Sequence, residues 1–339
     1  MSEVVIVINP GSSSTKLAVY SRQGEIFKLQ FPGSPPTVPG FQKLLDSYLT
    51  DSKVLTIVSR GGLLKPLIGG VYGINEAMLG DLRQEKYGRH ASNLGAVLAW
   101  ELGNIYEVPS YVVDPVTTDE FESLARISGV PGIERVCRGH ILNIKAVARK
   151  ACSELELDFE TTRFVVAHLG GGISVAALKK GRIIDVNDAL MGMGPFSPQR
   201  AGALPLRAIL DLAYSSPREK VEYQLSKTSG LKGYLDTDDM ITIERRIIGG
   251  DNKTKLIVDA MIYQIAKEIG AMFTVLSGRI NGIIITGGLA YSDYLVNVLR
   301  TRLEGLGKLL VYSGEFEMEA LAQGAWRVLQ GEETVREYA

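Results

Sequence analysis

Two strand–turn–strand segments, separated by roughly 160 residues, constrain the fold more than any other feature of the sequence. Residues 4–20 read VVIVINPGSSSTKLAVY: an apolar run, a turn of glycine and serine, and then a second strand. Residues 163–175 read RFVVAHLGGGISV and repeat this arrangement. The separation is too long for a solenoid repeat, so it predicts two similar domains that each open with a glycine-rich hairpin.

Strands and helices alternate in the rest of the chain. A third apolar strand ending in glycines is predicted at residues 282–291, directly after the run 259–277, in which apolar residues recur with helical spacing. Apolar residues share a helical face in two further segments, one with Leu94, Val97, Leu98, Leu102 and Ile105, the other with Met318, Leu321, Ala322, Ala325 and Leu329. The pattern predicts an α/β protein.

The length of 339 residues exceeds what one hydrophobic core usually holds, so we expect two domains. We place the boundary between residues 150 and 151, near the end of a helix-like stretch. The N-terminal domain then spans residues 1–150 and is rejoined by a C-terminal helix at about residues 315–339, and the second domain spans residues 151–314.

Charge and cysteine usage exclude several classes of function. The 37 basic residues nearly balance the 38 acidic ones, and the net charge of −1 gives no general attraction to nucleic acid or to an anionic membrane. The N-terminus lacks the pattern of a secretion signal, and no apolar run approaches the roughly 20 residues that span a bilayer, so we expect a cytoplasmic protein. Cys137 and Cys152 have neither zinc-ligand nor disulfide-scaffold spacing and are expected to be reduced structural thiols.

The two glycine-rich turns are candidate phosphate sites. Backbone N–H groups of the turn at residues 9–16, with the hydroxyls of Ser12 and Ser14, can surround phosphate oxygens while Lys16 adds positive charge. This turn is not a Walker A loop, because the G-x-x-x-x-G-K-[ST] pattern is absent and a strand follows. In the second turn, HLGGG at residues 168–172, three glycines would let the backbone approach a polyphosphate closely. A plain surface turn is the alternative for either one alone, and the pair favours a nucleotide clamp.

Four charged residues in or beside loops are candidate catalytic groups. Arg60 follows a strand-like run, and Arg200 lies in a loop rich in proline and glycine. The planar guanidinium group of arginine binds carboxylates and the oxygens of a transferring phosphoryl group. Asp114 and Glu317, at the end of a strand and the start of a helix, could orient Mg²⁺ or its waters. Two surface arginines, and a glutamate that only complements a helix N-terminus, are the open alternatives.

Histidine placement supports the nucleotide interpretation. The three histidines, His90, His140 and His168, each lie beside an arginine or a glycine-rich turn rather than in an apolar run. A satisfied structural histidine is the alternative for each of them.

Together these residues resemble the acetate and butyrate kinase family, over nearly the whole chain from NPGSSSTK to the final helix. The motifs most typical of the butyrate branch are SRGGLLKP (59–66), ARISGVPGIER (125–135), HLGGGISV (168–175) and GPFSPQRAGALP (194–205). The resemblance implies an α/β fold of two duplicated ribonuclease-H-like domains, the superfold of actin-like ATPases, Hsp70 and sugar kinases, with a nucleotide cleft between them. It makes residues 1–150 the acyl-substrate and phosphate domain and residues 151–314 the nucleotide-binding domain.

The resemblance also implies roles for individual residues, motif by motif. Nucleotide and phosphate binding is implied for Asn9, Ser12, Ser14, Lys16, His168, Gly170, Gly172, Gly287 and Gly288. Catalytic roles are implied for Arg60, Arg200, His140, Asp114 and Glu317, and the implied substrate pocket contains Gly61, Gly62 and His90. Glu317 and Asn9 are the implied Mg²⁺ residues, with Glu315 as the alternative to Glu317. After Asp238 the chain has Asp239 and Met240 in place of the aromatic–arginine pair of acetate kinases, so most adenine contacts stay unassigned.

These inferences predict a butyrate kinase, which transfers the γ-phosphate of ATP reversibly to butyrate or a branched-chain relative, giving an acyl phosphate and ADP, with Mg²⁺ as cofactor. The preference over acetate depends on Gly61 and Gly62, which stand where acetate kinases have bulky valines and would leave room for methylenes. A tight turn is the alternative reason for these glycines. The alternative functions are an acetate or propionate kinase, a phosphohydrolase of the same superfold, and a switch of the Hsp70 kind, which would not need the two arginines. The resemblance implies a homodimer, and no nucleic-acid or membrane partner is expected.

Overall fold

The computed structural model describes residues 2–11, 14–33 and 35–339. Ser12, one of the predicted phosphate contacts, lies outside these ranges. The described strands are β1 (Ser2–Pro10), β2 (Ser14–Ser21), β3 (Gly24–Pro32), β4 (Ser52–Ser59), β5 (Val71–Gly73), β6 (Ser110–Val113), β7 (Arg163–Leu169), β8 (Ile173–Lys179), β9 (Arg182–Val186), β10 (Gly282–Gly287) and β11 (Leu309–Ser313).

The described α-helices are α1 (Val38–Tyr48), α2 (Glu76–Arg83), α3 (Asn93–Tyr106), α4 (Ser123–Arg126), α5 (Ile141–Glu154), α6 (Leu206–Ser215), α7 (Arg218–Lys227), α8 (Gly230–Leu235), α9 (Met240–Ile248), α10 (Asn252–Val275), α11 (Asp293–Arg302) and α12 (Glu317–Leu329). The predicted strand at residues 282–291 is shorter than expected, because a 3₁₀ helix follows it at Gly288–Tyr291. Within the described ranges, no helix combines the length and the apolar character needed to cross a bilayer.

The chain divides into two compact units. Unit 1 consists of Met1–Asp119 and Phe316–Ala339, and unit 2 of Glu120–Glu315. The division therefore falls after Asp119 and not after residue 150, so α5 belongs to unit 2.

A buried ion pair explains why α5 belongs to unit 2. On α5, Lys145 Nζ donates to Glu120 Oε1 at 2.9 Å, with side chains only 5% and 2% exposed. The second carboxylate oxygen of Glu120 accepts a hydrogen bond from the backbone of Ile183 on β9 at 2.9 Å. Separating such a pair would leave a buried charge uncompensated. The partners are distant in sequence, so no local pattern marks this boundary.

The two units share one strand order. In unit 1 the sheet runs β3-β2-β1-β4-β6-β5, and in unit 2 it runs β9-β8-β7-β10-β11. Each sheet opens with an antiparallel meander of three strands, and two strands parallel to the first one follow. Unit 1 adds the short antiparallel edge strand β5. The predicted duplication of a ribonuclease-H-like fold is thereby confirmed.

Burial explains why the first strand of each unit is a nearly continuous apolar run. From Val4 onward every residue of β1 is buried, and six of the seven residues of β7 are buried, which requires cover on both faces of the sheet. Helices α3 and α12 both pack against β1, β4 and β6 in unit 1, while α5 and α10 pack against β7 in unit 2. Helix α10 begins where the Asp251 side chain accepts a hydrogen bond from the backbone of Thr254, an N-cap. Because the helices cover the faces of the sheets, polar residues lie at the carboxyl ends of the parallel strands.

Candidate functional site

Three polar side chains meet at the carboxyl ends of the parallel strands in unit 1. Glu317 is the first residue of α12, and its Oε2 accepts hydrogen bonds from Asn9 Nδ2 at 2.9 Å and from Arg60 Nη1 at 3.2 Å. Asn9 lies at the end of β1, and Arg60 directly follows β4. These strands are parallel neighbours, so their ends share one edge of the sheet. We refer to Asn9, Arg60 and Glu317 as the strand-end triad.

Two atoms of the triad are buried without a hydrogen-bond partner. They are Asn9 Oδ1 and Arg60 Nε, considering the residues that the structure describes. A buried polar atom left unpaired costs about 1–3 kcal/mol of stability, so each such atom in a folded protein needs an explanation. A ligand that accepts a hydrogen bond from Arg60 Nε and places a donor or a cation at Asn9 Oδ1 would satisfy both atoms.

The triad also fits Mg²⁺, which the family resemblance implies. The Glu317 carboxylate and Asn9 Oδ1 are the hard oxygen donors that this ion prefers, and Mg²⁺ usually takes only one or two carboxylates from the protein and keeps several waters. Arg60 Nη1, 3.1 Å from Glu317 Oε1, offsets part of the carboxylate charge. Glu315 lies on the exposed surface, so Glu317 is the better placed of the two candidate carboxylates.

Asp114 directly follows β6, the parallel neighbour of β4, and therefore lies at the same sheet edge as the triad. It is buried and has a left-handed backbone with φ of 40°, which is uncommon for a residue other than glycine. Its Oδ1 accepts a hydrogen bond from the backbone N–H of Gly70 at 2.9 Å, and its own N–H donates to the Gly70 carbonyl at 2.9 Å. These bonds fix the loop at Gly70, a structural task that the sequence prediction did not include.

The first predicted phosphate turn lies beside the triad. Lys16 is the cross-strand partner of Asn9 in the β1–β2 pair, so the two side chains lie on the same face of the sheet. The turn is closed by a hydrogen bond of 2.8 Å from Gly11 N to the Ser14 carbonyl. The Ser14 hydroxyl accepts a hydrogen bond from Gln30 Nε2 at 3.0 Å. The half-buried Lys16 adds a positive charge next to Asn9.

The structure contradicts the expected open space beside Gly61 and Gly62. A Cβ at Gly62 would lie 2.5 Å from the Asn93 Cα and 2.7 Å from a methyl group of Leu82. A Cβ at Gly61 would collide with the Val112 side chain, and Gly61 has a φ of +68°, which favours glycine. The protein itself fills both positions, so tight packing and the turn conformation, not an acyl pocket, account for these glycines.

His90 lies in the loop before α3, and its ring is partly buried against Ser92. Its Nδ1 accepts a hydrogen bond from the backbone N–H of Ser92 at 3.2 Å and lies 2.7 Å from the Ser92 hydroxyl. Burial, assisted by the positive charge of Arg60, lowers the pKa of His90 below its ordinary value. His90 is thus electrostatically linked to the triad.

The two histidines of unit 2 form a stacked pair. The ring centroids of His140 and His168 are 4.1 Å apart, and the rings are 15° from parallel. His140 precedes α5 and its Nδ1 lies 2.8 Å from the hydroxyl of Ser174 on β8. His168 lies near the end of β7, and its Nδ1 is 2.9 Å from Asn143 Nδ2.

Arg200 packs directly onto the second glycine-rich turn. A Cβ at Gly172 would lie 2.6 Å from the Arg200 Cζ, so any side chain there would displace the guanidinium. Arg200 Nη1 donates to the Ala189 carbonyl, and the Arg200 Nε is buried with no hydrogen-bond partner among the described residues. Burial lowers the pKa of Arg200, an effect that the nearby Asp188 carboxylate opposes. The structure thus brings the predicted Arg200, His168 and glycine turn together.

The third glycine turn of unit 2 lies against the second one. Gly287 ends β10 with φ of +92°, and a Cβ there would lie 2.7 Å from the carbonyl carbon of Leu169 at the end of β7. Gly287 also exchanges two backbone hydrogen bonds of 3.0 Å with Gly314. At Gly288 a Cβ would meet nothing within 4 Å. Gly287 is therefore required by close backbone approach, while Gly288 borders open space.

Two residues that contact the histidine pair were not predicted from the sequence. They are Ser174, which is the cross-strand partner of His168, and Asn143. Asn143 lies three residues after His140, hence on the same helix face, and interrupts an apolar run. A buried polar residue on such a face was the signal that could have identified it.

Comparison with known proteins first establishes the fold. Acetate kinase from Porphyromonas gingivalis matches with a TM-score of 0.79 at 19% identity, covering 97% of this chain and 100% of that one. Acetate kinase from Entamoeba histolytica matches with 0.77 at 17% identity, covering 96% and 100%. Propionate kinase from Francisella tularensis subsp. tularensis SCHU S4 matches with 0.75 at 18% identity, covering 96% and 99%.

A sequence match then establishes the family. The model of the acetokinase family matches residues 136–324, more than half of the chain, and the chain therefore belongs to the acetokinase family. It is a carboxylate kinase, a phosphotransferase that uses ATP and takes a carboxyl group as acceptor. The matched segment includes His140, His168, Arg200 and Glu317.

Proposed function

We propose that this carboxylate kinase acts on short-chain acids, with butyrate or a branched-chain relative preferred over acetate. A carboxylate oxygen attacks the γ-phosphorus of ATP, a new O–P bond forms, and the bond from the γ-phosphorus to the bridging oxygen breaks, so that ADP leaves with the electron pair. The acceptor is already ionised at pH 7, so the reaction needs no strong general base.

The observation that carries the proposal is that each unit holds an arginine with a buried, unpartnered Nε among the described residues. At the predicted phosphate sites these are Arg60 in unit 1 and Arg200 in unit 2. Guanidinium groups suit the equatorial oxygens of a transferring phosphoryl group, and donors fixed in a shielded site stabilise developing charge without reorganisation. We assign each arginine to phosphate oxygens bound at its own unit.

Other residues take supporting roles in the proposal. His140 and His168 donate hydrogen bonds to phosphate oxygens, and the turns at Gly170, Gly172, Gly287 and Gly288 accept the nucleotide. Ser14 and Lys16 contribute to the phosphate site of unit 1, and Asp114 and His90 border the acid. Glu317, with Asn9, would hold Mg²⁺, which when bound offsets negative charge on the phosphates.

The preference for a longer acid is supported by the motifs of the butyrate branch, and not by Gly61 and Gly62, whose side-chain positions are filled. Each methylene buried in a pocket is worth about 0.8 kcal/mol, or about fourfold. Two methylenes would therefore favour butyrate over acetate by roughly ten- to twentyfold, too little to exclude neighbouring chain lengths.

The test measures ADP release, coupled to a reporter enzyme, against acetate, propionate, butyrate, isobutyrate and valerate. Hydroxylamine in a parallel assay traps the acyl phosphate as a hydroxamate. We expect ADP and hydroxamate in equal amounts, with the highest kcat/KM for butyrate or isobutyrate. ADP and phosphate released without any carboxylate would indicate a phosphohydrolase instead, and a maximum at acetate would overturn the chain-length preference.

The homodimer that the family resemblance implies is also part of the proposal. Helix α6 supports it, because Leu206, Leu210 and Tyr214 recur every fourth residue along one face and are mostly exposed. Sedimentation should show a dimer, and a monomer at micromolar concentration would contradict it.

A further inference from the structure

We propose that Asn143 is a positioning residue that holds His168 in the tautomer with its proton on Nε2, at the end of a hydrogen-bond chain with only one possible direction. The inference deepens the proposed function, because it rests on His168 acting as a hydrogen-bond donor to phosphate. The four members of the chain are Gly314, Thr286, Asn143 and His168, and all belong to unit 2.

The direction follows from the first bond of the chain. The Thr286 hydroxyl lies 3.2 Å from the carbonyl oxygen of Gly314. A carbonyl oxygen can only accept a hydrogen bond, so the hydroxyl donates its single proton to Gly314. Towards Asn143, 3.3 Å away, Thr286 Oγ1 can then only accept. The Asn143 atom at this position must therefore be the NH₂ group, because the amide oxygen would place two acceptors face to face.

The same NH₂ group decides the state of His168. It lies 2.9 Å from His168 Nδ1, and an amide nitrogen cannot accept a hydrogen bond, so Nδ1 must be the acceptor. A neutral imidazole with an accepting Nδ1 carries its proton on Nε2. Asn143, Thr286 and His168 are all almost completely buried, so water does not compete for these bonds.

The fixed proton faces the glycine-rich turn. A Cβ at Gly170 would lie 3.3 Å from His168 Nε2, so this nitrogen borders the turn proposed to bind phosphate. The His140 ring stacks on the His168 ring, with the ring centroids 4.1 Å apart. His168 therefore presents a neutral N–H donor to the turn.

The chain also begins at a turn proposed to contact the nucleotide. Gly314 exchanges backbone hydrogen bonds with Gly287, and Thr286 directly precedes Gly287. The backbone that places the Gly287 turn thus sets the proton position on His168 as well. A change at Thr286, the register partner of His168 on the neighbouring parallel strand, should consequently reach His168 through Asn143.

Nitrogen-15 NMR of the imidazole rings tests the inference directly, and the chain has only three histidines to assign. Variants His90→Gln, His140→Gln and His168→Gln identify each ring. For wild-type His168 at neutral pH we expect an unprotonated Nδ1 and a protonated Nε2. A protonated Nδ1 in the wild type would overturn the proposal, whatever the variants do.

Asn143→Asp replaces the donor by an acceptor and should move a proton to His168 Nδ1, with kcat lowered roughly 10- to 100-fold and KM for the acid little changed. Thr286→Val removes the hydroxyl that fixes the amide direction and should give a mixture of tautomers, while Thr286→Ser keeps the hydroxyl and should match the wild type. An unchanged His168 spectrum in a folded Asn143→Asp or Thr286→Val variant would also refute the proposal.

The proposed function can fail separately. An expected His168 tautomer in a protein without carboxylate-dependent ADP release would refute only the function. Carboxylate kinase activity with His168 protonated on Nδ1 would refute only the role of Asn143.

Discussion

The two units place polar residues at equivalent points of the same strand order but use different chemistry there. The first strand ends near Asn9 in unit 1 and near His168 in unit 2, and the next parallel strand ends beside Arg60 in one and at Gly287 in the other. In both units a helix packed on the first strand contributes a polar side chain to its end: Glu317 to Asn9, and Asn143 to His168. The shared topology decides where functional groups collect, and the local sequence decides which groups they are.

The difference in charge is the clearest contrast. In unit 1 the arginine is paired with a carboxylate, since Arg60 Nη1 lies 3.1 Å from Glu317 Oε1. In unit 2 the Arg200 guanidinium lies over a glycine turn and donates to a backbone carbonyl, in the unit that also holds the stacked His140 and His168 rings. Unit 1 is thus suited to a cation together with an anion, and unit 2 to an anion alone. Mutations in each unit test this difference in charge.

The largest effect is expected from removing either arginine. Arg60→Ala and Arg200→Ala should each lower kcat by roughly 10³-fold, because each removes a positive charge proposed to bind phosphate oxygens at its own unit. Lysine should rescue either position poorly, since it lacks the planar fork. Steady-state kinetics measure kcat of each variant, and thermal unfolding confirms that each variant is folded.

The matched controls are Arg83→Ala in unit 1 and Arg218→Ala in unit 2, both at exposed surface ion pairs. These should keep wild-type kinetics, because exposed pairs contribute little. If the variants of Arg60 and Arg200 both retained more than about a tenth of wild-type kcat, a loss below about 1.4 kcal/mol, the assignment of the arginines would be wrong.

A smaller loss is expected from displacing Arg200 without removing it. Gly172→Ala puts a methyl group where the guanidinium lies, so the flexible end of Arg200 must move, and kcat should fall on the order of 100-fold with little change in stability. Gly270→Ala on α10, also in unit 2, is the control, because its Cβ would meet nothing within 4 Å. Similar kinetics for the two variants would show that the position of Arg200 over the turn is unimportant.

The sequence allows the doubled fold and most strand-end residues to be predicted, because glycine turns, apolar runs and motif order are local signals. It does not reveal that Lys145 pairs with Glu120, since that contact joins residues that no local pattern relates. Gly62 was misinterpreted for a similar reason: the sequence shows a missing side chain, but only the structure shows Asn93 and Leu82 in its place. Local chemistry was thus predictable, and the neighbours that complete it were not.

A several-fold effect is expected for the metal requirement of unit 1. Glu317→Gln should raise the Mg²⁺ concentration needed for half-maximal activity, because an amide is a weaker ligand than a carboxylate. Glu315→Gln, at an exposed position two residues earlier, is the control and should leave the titration unchanged. Superimposable Mg²⁺ titrations of the wild type and the Glu317 variant would remove Glu317 from the metal site and weaken the division between the units.

The smallest effect concerns His90, whose pKa is held below its ordinary value by burial and by the charge of Arg60. The pKa of His90 is lower in the folded state than in the unfolded one, so the unfolded chain binds the proton more readily. The contribution of neutral His90 to the free energy of unfolding is therefore present above about pH 6.5 and is lost as the pH falls below it. Arg60→Ala removes the second cause and should raise the pKa of His90 towards its ordinary value, while Arg83→Ala should leave it unchanged. An NMR titration of the His90 ring in both variants measures this. A His90 pKa that did not respond to Arg60→Ala would mean that burial alone lowers it. Glu317 would then neutralise Arg60 almost completely, and unit 1 would lack the positive charge proposed to bind an anion.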